Sequence, residues 1–152
     1  MKKDIRIMLI SGYKLVRCGL RRLLEQEEDM QVVGDYTSAE EALLQMATLA
    51  PDIVLIDLYE SGMDGIEAAL YLKRNAPDCD VDVIILTEYP YYETEAIDAG
   101  VASYLLKNVT RAEFTRAIRN VYWSKQSVNE REYFNPEVID LVTTPPHRPK
   151  AG

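Results

Sequence analysis

From residue 5 to about 123 the chain alternates between short apolar runs and stretches of helical periodicity. The runs cover 5–10, 31–35, 52–57, 83–87 and 102–106. Three of them show almost no polar alternation, as expected of strands covered on both faces of a buried parallel sheet. Between the runs, Leu15, Val16, Leu20, Leu23 and Leu24 recur at helical spacing. So do Ala39, Ala42, Leu43 and Met46, and then Ile66, Ala69, Leu70 and Leu72. Each set predicts a helix with one apolar face turned to the sheet.

Ser38 to Glu41 and Thr110 to Glu113 both match a capping box, in which a hydroxyl and a carboxylate satisfy amides at a helix start. Tyr91 to Asp98 predicts a shorter helix, stopped at Gly100. Five βα units of this kind predict an α/β doubly wound fold of three layers, with helices on both faces of the sheet. Past Trp123 the pattern changes. Residues 125–135 read as polar loop, Pro136 opens a short helix to Leu141 or Val142, and 143–149 is a Pro-rich tail. The expected division is a domain over 1–124 and a linker over 125–152.

Three of the runs end in polar residues of different chemistry: Asp57, Thr87 and Lys107. Taken singly, these read as a turn acid, a good strand residue and a solvated lysine. On neighbouring parallel strands they converge in the crevice where open α/β sheets bind ligands. The first run ends instead in Ser11-Gly12.

Composition narrows the choices. The 152 residues carry a net charge of −8, so a phosphate backbone would be repelled, and no basic cluster offsets this. From Lys125 onward, Lys125, Arg131, Arg148 and Lys150 balance Glu130, Glu132, Glu137 and Asp140, which leaves the acidity in the first 124 residues. No run reaches the ~20 apolar residues of a membrane span, and the start is unlike a signal peptide. The expectation is a cytoplasmic protein without a membrane partner. Cys18 and Cys79 read as reduced thiols, and the lone His147 falls in the tail. Glycine-rich phosphate loops, nucleophile elbows and metal-spaced histidines do not occur, so the chain is not expected to be an enzyme.

Asp57 to Gly65, Leu86-Thr87 and Tyr104 to Lys107 resemble the receiver domain of two-component response regulators, the CheY-like family. Residues 6–24, 32–34 and 99–104 extend the likeness over 5–123. It is nearest to receivers that precede a LuxR/NarL-type helix-turn-helix output domain, and Tyr133 to Val138 resembles the lead into that domain. The resemblance implies a flavodoxin-like (βα)5 sheet of order 2-1-3-4-5. It makes Asp57 the phosphoacceptor, Thr87 and Lys107 the phosphate-binding groups, and Tyr104 the aromatic switch. It further implies homodimers, a histidine kinase or other regulatory protein as partner, and DNA contact only through an output domain outside these residues.

In that family two adjacent acids after the first strand hold magnesium together with the phosphoacceptor. Here the acidic-pair positions read Ser11 and Gly12, a poor set for an ion held through carboxylates. Magnesium binding is therefore expected to be weak or lost, and Asp57 is expected to pair with Lys107, which would lower its pKa. Glu88 follows Thr87 where a small residue is usual, adding bulk and negative charge. Ser61 and Asn108 stand where prolines are common. Tyr13, Tyr59 and Tyr89 rim the mouth, either as surface tyrosines in a chain that has 10 or as the lining of a reused pocket. Phe114, Ile118 and Val121 are expected in the core, with Tyr122 and the Tyr91-Tyr92 region as contact surface.

The leading expectation is an atypical receiver that works without phosphorylation. Two alternatives stay open: an ordinary phosphoacceptor with weakened metal binding, and a receiver-like sensor of a small ligand.

Overall fold

The computed structural model describes residues 4–57 and 62–130, except the side chains of 62–64 and 127–130. Five strands, β1 (Ile5–Ser11), β2 (Met30–Tyr36), β3 (Ile53–Asp57), β4 (Asp82–Thr87) and β5 (Ser103–Leu106), form one sheet of order β2-β1-β3-β4-β5. Every neighbouring pair is parallel, as the unbroken apolar runs require. Five α-helices connect and follow the strands: α1 (Lys14–Glu25), α2 (Ala39–Leu49), α3 (Gly62–Asn75), α4 (Glu93–Asp98) and α5 (Arg111–Glu130). This is the flavodoxin-like arrangement.

The two faces of the sheet sort the core by alternation. Met8, Ile10, Val54, Ile56, Val83 and Ile85 pack with Ala42, Met46, Ile66, Ala69, Leu72 and Ala96 of α2, α3 and α4. The intervening residues Ile7, Leu9, Ile53, Leu55, Ile84 and Leu86 pack with Leu24 of α1 and with Phe114, Ile118 and Val121 of α5. The Thr110 capping box forms in full and the Ser38 box in half. Ser38 accepts from the Glu41 amide at 3.2 Å, and Thr110 and Glu113 cap each other at 3.1 and 2.8 Å. The Glu41 carboxylate reaches one residue further than expected, to the amide and hydroxyl of Thr37.

Four expectations need correction. Leu15 does not join the buried face of α1, since Val16, Leu20, Leu23 and Leu24 lie along a stripe that excludes it; it is 84% exposed. Tyr122, expected as contact surface, is buried in the core on the α1 and α5 face of the sheet, because it lies one helical turn after Ile118. The 91–98 helix is divided into a 3-10 turn, Pro90–Tyr92, and α4 proper. The polar stretch expected as loop over 125–135 is helical as far as Glu130, where α5 ends, and 131–135 lie outside the described residues. Neither Pro nor Gly interrupts 125–130, and Lys125 fixes this part of the helix to Asp80 and Asp82 at 2.9 and 3.4 Å. The short helix from Pro136, the Pro-rich tail and His147 lie outside the described residues. Among the described residues, no helix is long and apolar enough to cross a membrane.

Candidate functional site at the carboxyl ends of the strands

The parallel register delivers the polar strand ends to one edge. Ser11 pairs with Asp57 across β1 and β3, Thr87 pairs with Leu106 across β4 and β5, and the Lys107 amide donates to the Thr87 carbonyl at 2.8 Å. Ser11, Asp57 and Thr87 are all buried. Their apolar runs are covered on both faces, and the burial extends to the last residue of each.

Alternation then divides the site in two. Asp57 and Lys107 continue the parity of Leu55 and Leu105, on the side of α1 and α5. The Lys107 Nζ lies 2.7 Å from Asp57 Oδ1, the ion pair expected from the sequence. The distance suits a charge-assisted contact between the two side chains. Thr87 continues the parity of Val83 and Ile85, on the side of α3 and α4. Its hydroxyl accepts from the Tyr89 amide at 3.1 Å and lies beside the Tyr104 hydroxyl, which donates to the Tyr89 carbonyl.

One electrostatic expectation is overturned. Asp57 is only 3% exposed, and burial pushes its carboxyl above the usual range; the pull of Lys107 downward does not reverse this, and Glu88 adds a further upward push. A single ammonium that is itself partly in water does not compensate a carboxylate removed from water. Burial also raises the Tyr104 phenol, against smaller opposing effects of the Tyr92 backbone and the Thr87 hydroxyl.

The other predicted positions form the rim. Ser11 Oγ accepts from the Tyr13 amide at 3.3 Å, and Gly12 is exposed with open space around its α-carbon. Tyr13 and Glu88 are exposed, and Tyr89 is half-buried. Tyr59 and Ser61 lie outside the described residues. Sequence reasoning missed Arg17, whose guanidinium bonds the Ser11 carbonyl at 2.8 Å and Asp35 at 3.0 Å, fixing the turn after β1. An arginine one helical turn beyond Tyr13 was the available signal.

The donor set was tested against a hard divalent cation. Magnesium takes oxygen ligands in near-octahedral geometry, usually one or two carboxylates together with waters. Asp57 brings one carboxylate, Ser11 a hydroxyl already engaged by Tyr13, and Gly12 no side chain. Among the described residues, no cluster of three or more His, Cys, Asp or Glu is placed to hold a metal. Among the described residues, the strand ends thus offer a poor donor set for magnesium.

Known proteins place this fold. The response regulator receiver domain model matches residues 7–119. The chain is 32% identical over 148 residues to the response regulator GacA of Pseudomonas viridiflava, covering 97% of this chain and 66% of that protein. It is 33% identical over 137 residues to the response regulator protein VraR of Staphylococcus epidermidis, covering 89% and 62%. The chain thus spans just under two thirds of the length of these relatives. Among solved structures, a LuxR-family two-component response regulator from Aurantimonas sp. SI85-9A1 is similar at TM-score 0.71 and 29% identity, covering 91% of this chain and 94% of that one. The receiver domain of the response regulator NarL from Mycobacterium tuberculosis gives TM-score 0.69 at 26% identity, covering 80% and 98%. With the family model spanning most of the chain and the strand-end residues in their expected places, this chain belongs to the response regulator receiver domain family.

Proposed function

We propose that this domain is the receiver of a transcriptional response regulator and that it signals through protein contacts, without magnesium-dependent phosphorylation of Asp57. The observation that carries the reading is the pairing of Ser11 with Asp57, which puts a neutral hydroxyl beside the phosphoacceptor position where a second carboxylate would help hold the ion. Lys107 already pairs with Asp57, which engages the carboxylate that would have to act as nucleophile. Glu88 repels an approaching anionic phosphodonor. Histidine kinases or other regulatory proteins, and a second copy of the chain, are the partners this reading implies. DNA would be reached only through an output domain, and the setting is cytoplasmic.

The test is intact mass after incubation with magnesium and a small acyl phosphate. The expected result is no change. A stoichiometric adduct that disappears in Asp57→Ala overturns the reading in favour of an ordinary phosphoacceptor with weakened metal binding. That second reading draws support from the retained layout of Asp57, Thr87 and Lys107.

A further inference from the structure

The last turns of α5 have little of their own to keep them helical. Ser124 is the last buried side chain described on the helix, and Lys125 and Gln126 are only half-buried, so the face that packs α5 on the sheet ends there. Ser127, Val128 and Asn129 are weak helix formers, and the last turn has no basic residue to offset its free carbonyls. A short stretch of such composition does not hold a helix by itself.

What α5 has at that point is one tertiary contact. Lys125 Nζ donates to the Asp80 carbonyl at 3.0 Å, and lies 2.9 Å from the Asp80 carboxylate and 3.4 Å from that of Asp82. Three oxygens thus face an ammonium that has three protons to give. The seat is held by its own backbone bonds: the Cys79 and Val81 amides donate to the Ala76 and Cys79 carbonyls, and the amide of Asp82, the first residue of β4, donates to the Asp52 carbonyl. Asp80 itself is 80% exposed, so dissolved salt reaches the contact.

We infer that Lys125 is a latch on a conditional helix. Seated against Asp80 and Asp82, it keeps 125–130 wound as the end of α5 and fastened to the amino end of β4; withdrawn, those residues unwind from Ser124 onward. The body of α5 stands on Phe114, Ile118, Val121 and Tyr122 and does not depend on the latch. Unwinding exchanges about 9 Å of helical rise for up to about 20 Å of extended chain. The latch therefore sets the reach of this stretch, and ties it to the strand that ends in Thr87. The inference goes beyond the proposed function and holds whether or not Asp57 is ever phosphorylated.

Hydrogen exchange at the amides of 127–130, measured by NMR on the full chain, tests it. In the wild type these amides should exchange more slowly than in an unfolded peptide of the same sequence, and high salt should narrow the difference. Lys125→Met, which keeps the stem and removes the charge, should speed their exchange about threefold or more, the scale of a partly shielded ion pair, and leave β4 and 114–122 unchanged. Asp80→Asn with Asp82→Asn should act in the same direction, and Lys125→Met added to that pair should then have a smaller effect than in the wild-type chain. Amides of 127–130 that already exchange at the unfolded rate in the wild type overturn the inference. So does a Lys125→Met chain in which they are unchanged or in which every element speeds up alike, and so does full additivity of the lysine and aspartate substitutions.

Discussion

Ser11 and Asp57 are register partners on adjacent parallel strands, and both are buried. A carboxylate at Ser11 would stand beside Asp57 on the same side of the sheet, and one at Gly12 would enter open space. Introducing Ser11→Asp together with Gly12→Asp should create a magnesium site. Without the ion, the clustered acids should lower stability by repulsion. With it, stability should rise with concentration in a saturable way. Thermal unfolding across a magnesium titration checks this, the wild type serving as the flat reference.

Asp57 links pH to stability in an unusual direction. Its folded pKa is raised above the unfolded value, so its contribution is fully present below the unfolded pKa and is lost as pH rises through the folded one. Asp57→Asn removes this dependence. The stability of Asp57→Asn minus that of wild type should therefore increase with pH across the acid range and then level off. Glu27 and Asp35, held low by Arg119 and Arg21, slope the other way in both proteins and cancel in the difference. Urea unfolding at a series of pH values measures it; a flat or falling difference would refute the raised carboxyl.

Tyr104 ties β5 to the loop after β4 through the Tyr89 carbonyl, beside Thr87. Tyr104→Phe keeps the ring and deletes the tie. The loss should be about 1 kcal/mol, the usual net worth of one hydrogen bond. Amide exchange should accelerate in 88–92 and remain unchanged in β1, which distinguishes a local release from general destabilisation.

The strands were legible because an unbroken apolar run such as Val83 to Leu86 has few alternatives to a buried parallel strand, whereas their order came with the family resemblance. The meeting of Asp57 with Lys107 followed from placing both at strand ends. The direction of the Asp57 pKa did not, because it depends on how deeply the strand end is buried, and adjacency to Lys107 says nothing of that. Leu15 was misjudged for a related reason: it satisfies the count of apolar residues on α1 while lying off the stripe that meets the sheet. The continuation of α5 past Ser124 was hidden because polar residues on a solvent-facing helix resemble those of a loop. The tie from Lys125 to Asp80 and Asp82 is a tertiary contact without a local sequence sign.

Arg119 is the hinge pin between α5 and the turn after α1. It donates to both oxygens of Asp29 at 2.8 and 2.9 Å and to Glu27 at 2.7 Å, while Arg111 holds the other Glu27 oxygen at 2.8 Å. The guanidinium and both acids are partly shielded, and the fork on Asp29 has the geometry that makes such pairs worth more than an isolated surface bridge. Arg119→Ala should cost about 1 kcal/mol, seen as a lower urea midpoint at unchanged slope. Arg119→Lys should recover little, since an ammonium cannot span both oxygens of Asp29 and Glu27 together. Because the pairs hold Glu27 below its ordinary value, their contribution is present at neutral pH and fades as pH falls through the folded value. The gap between wild type and Arg119→Ala should therefore narrow in acid and in high salt, whereas loss of packing alone would leave it constant.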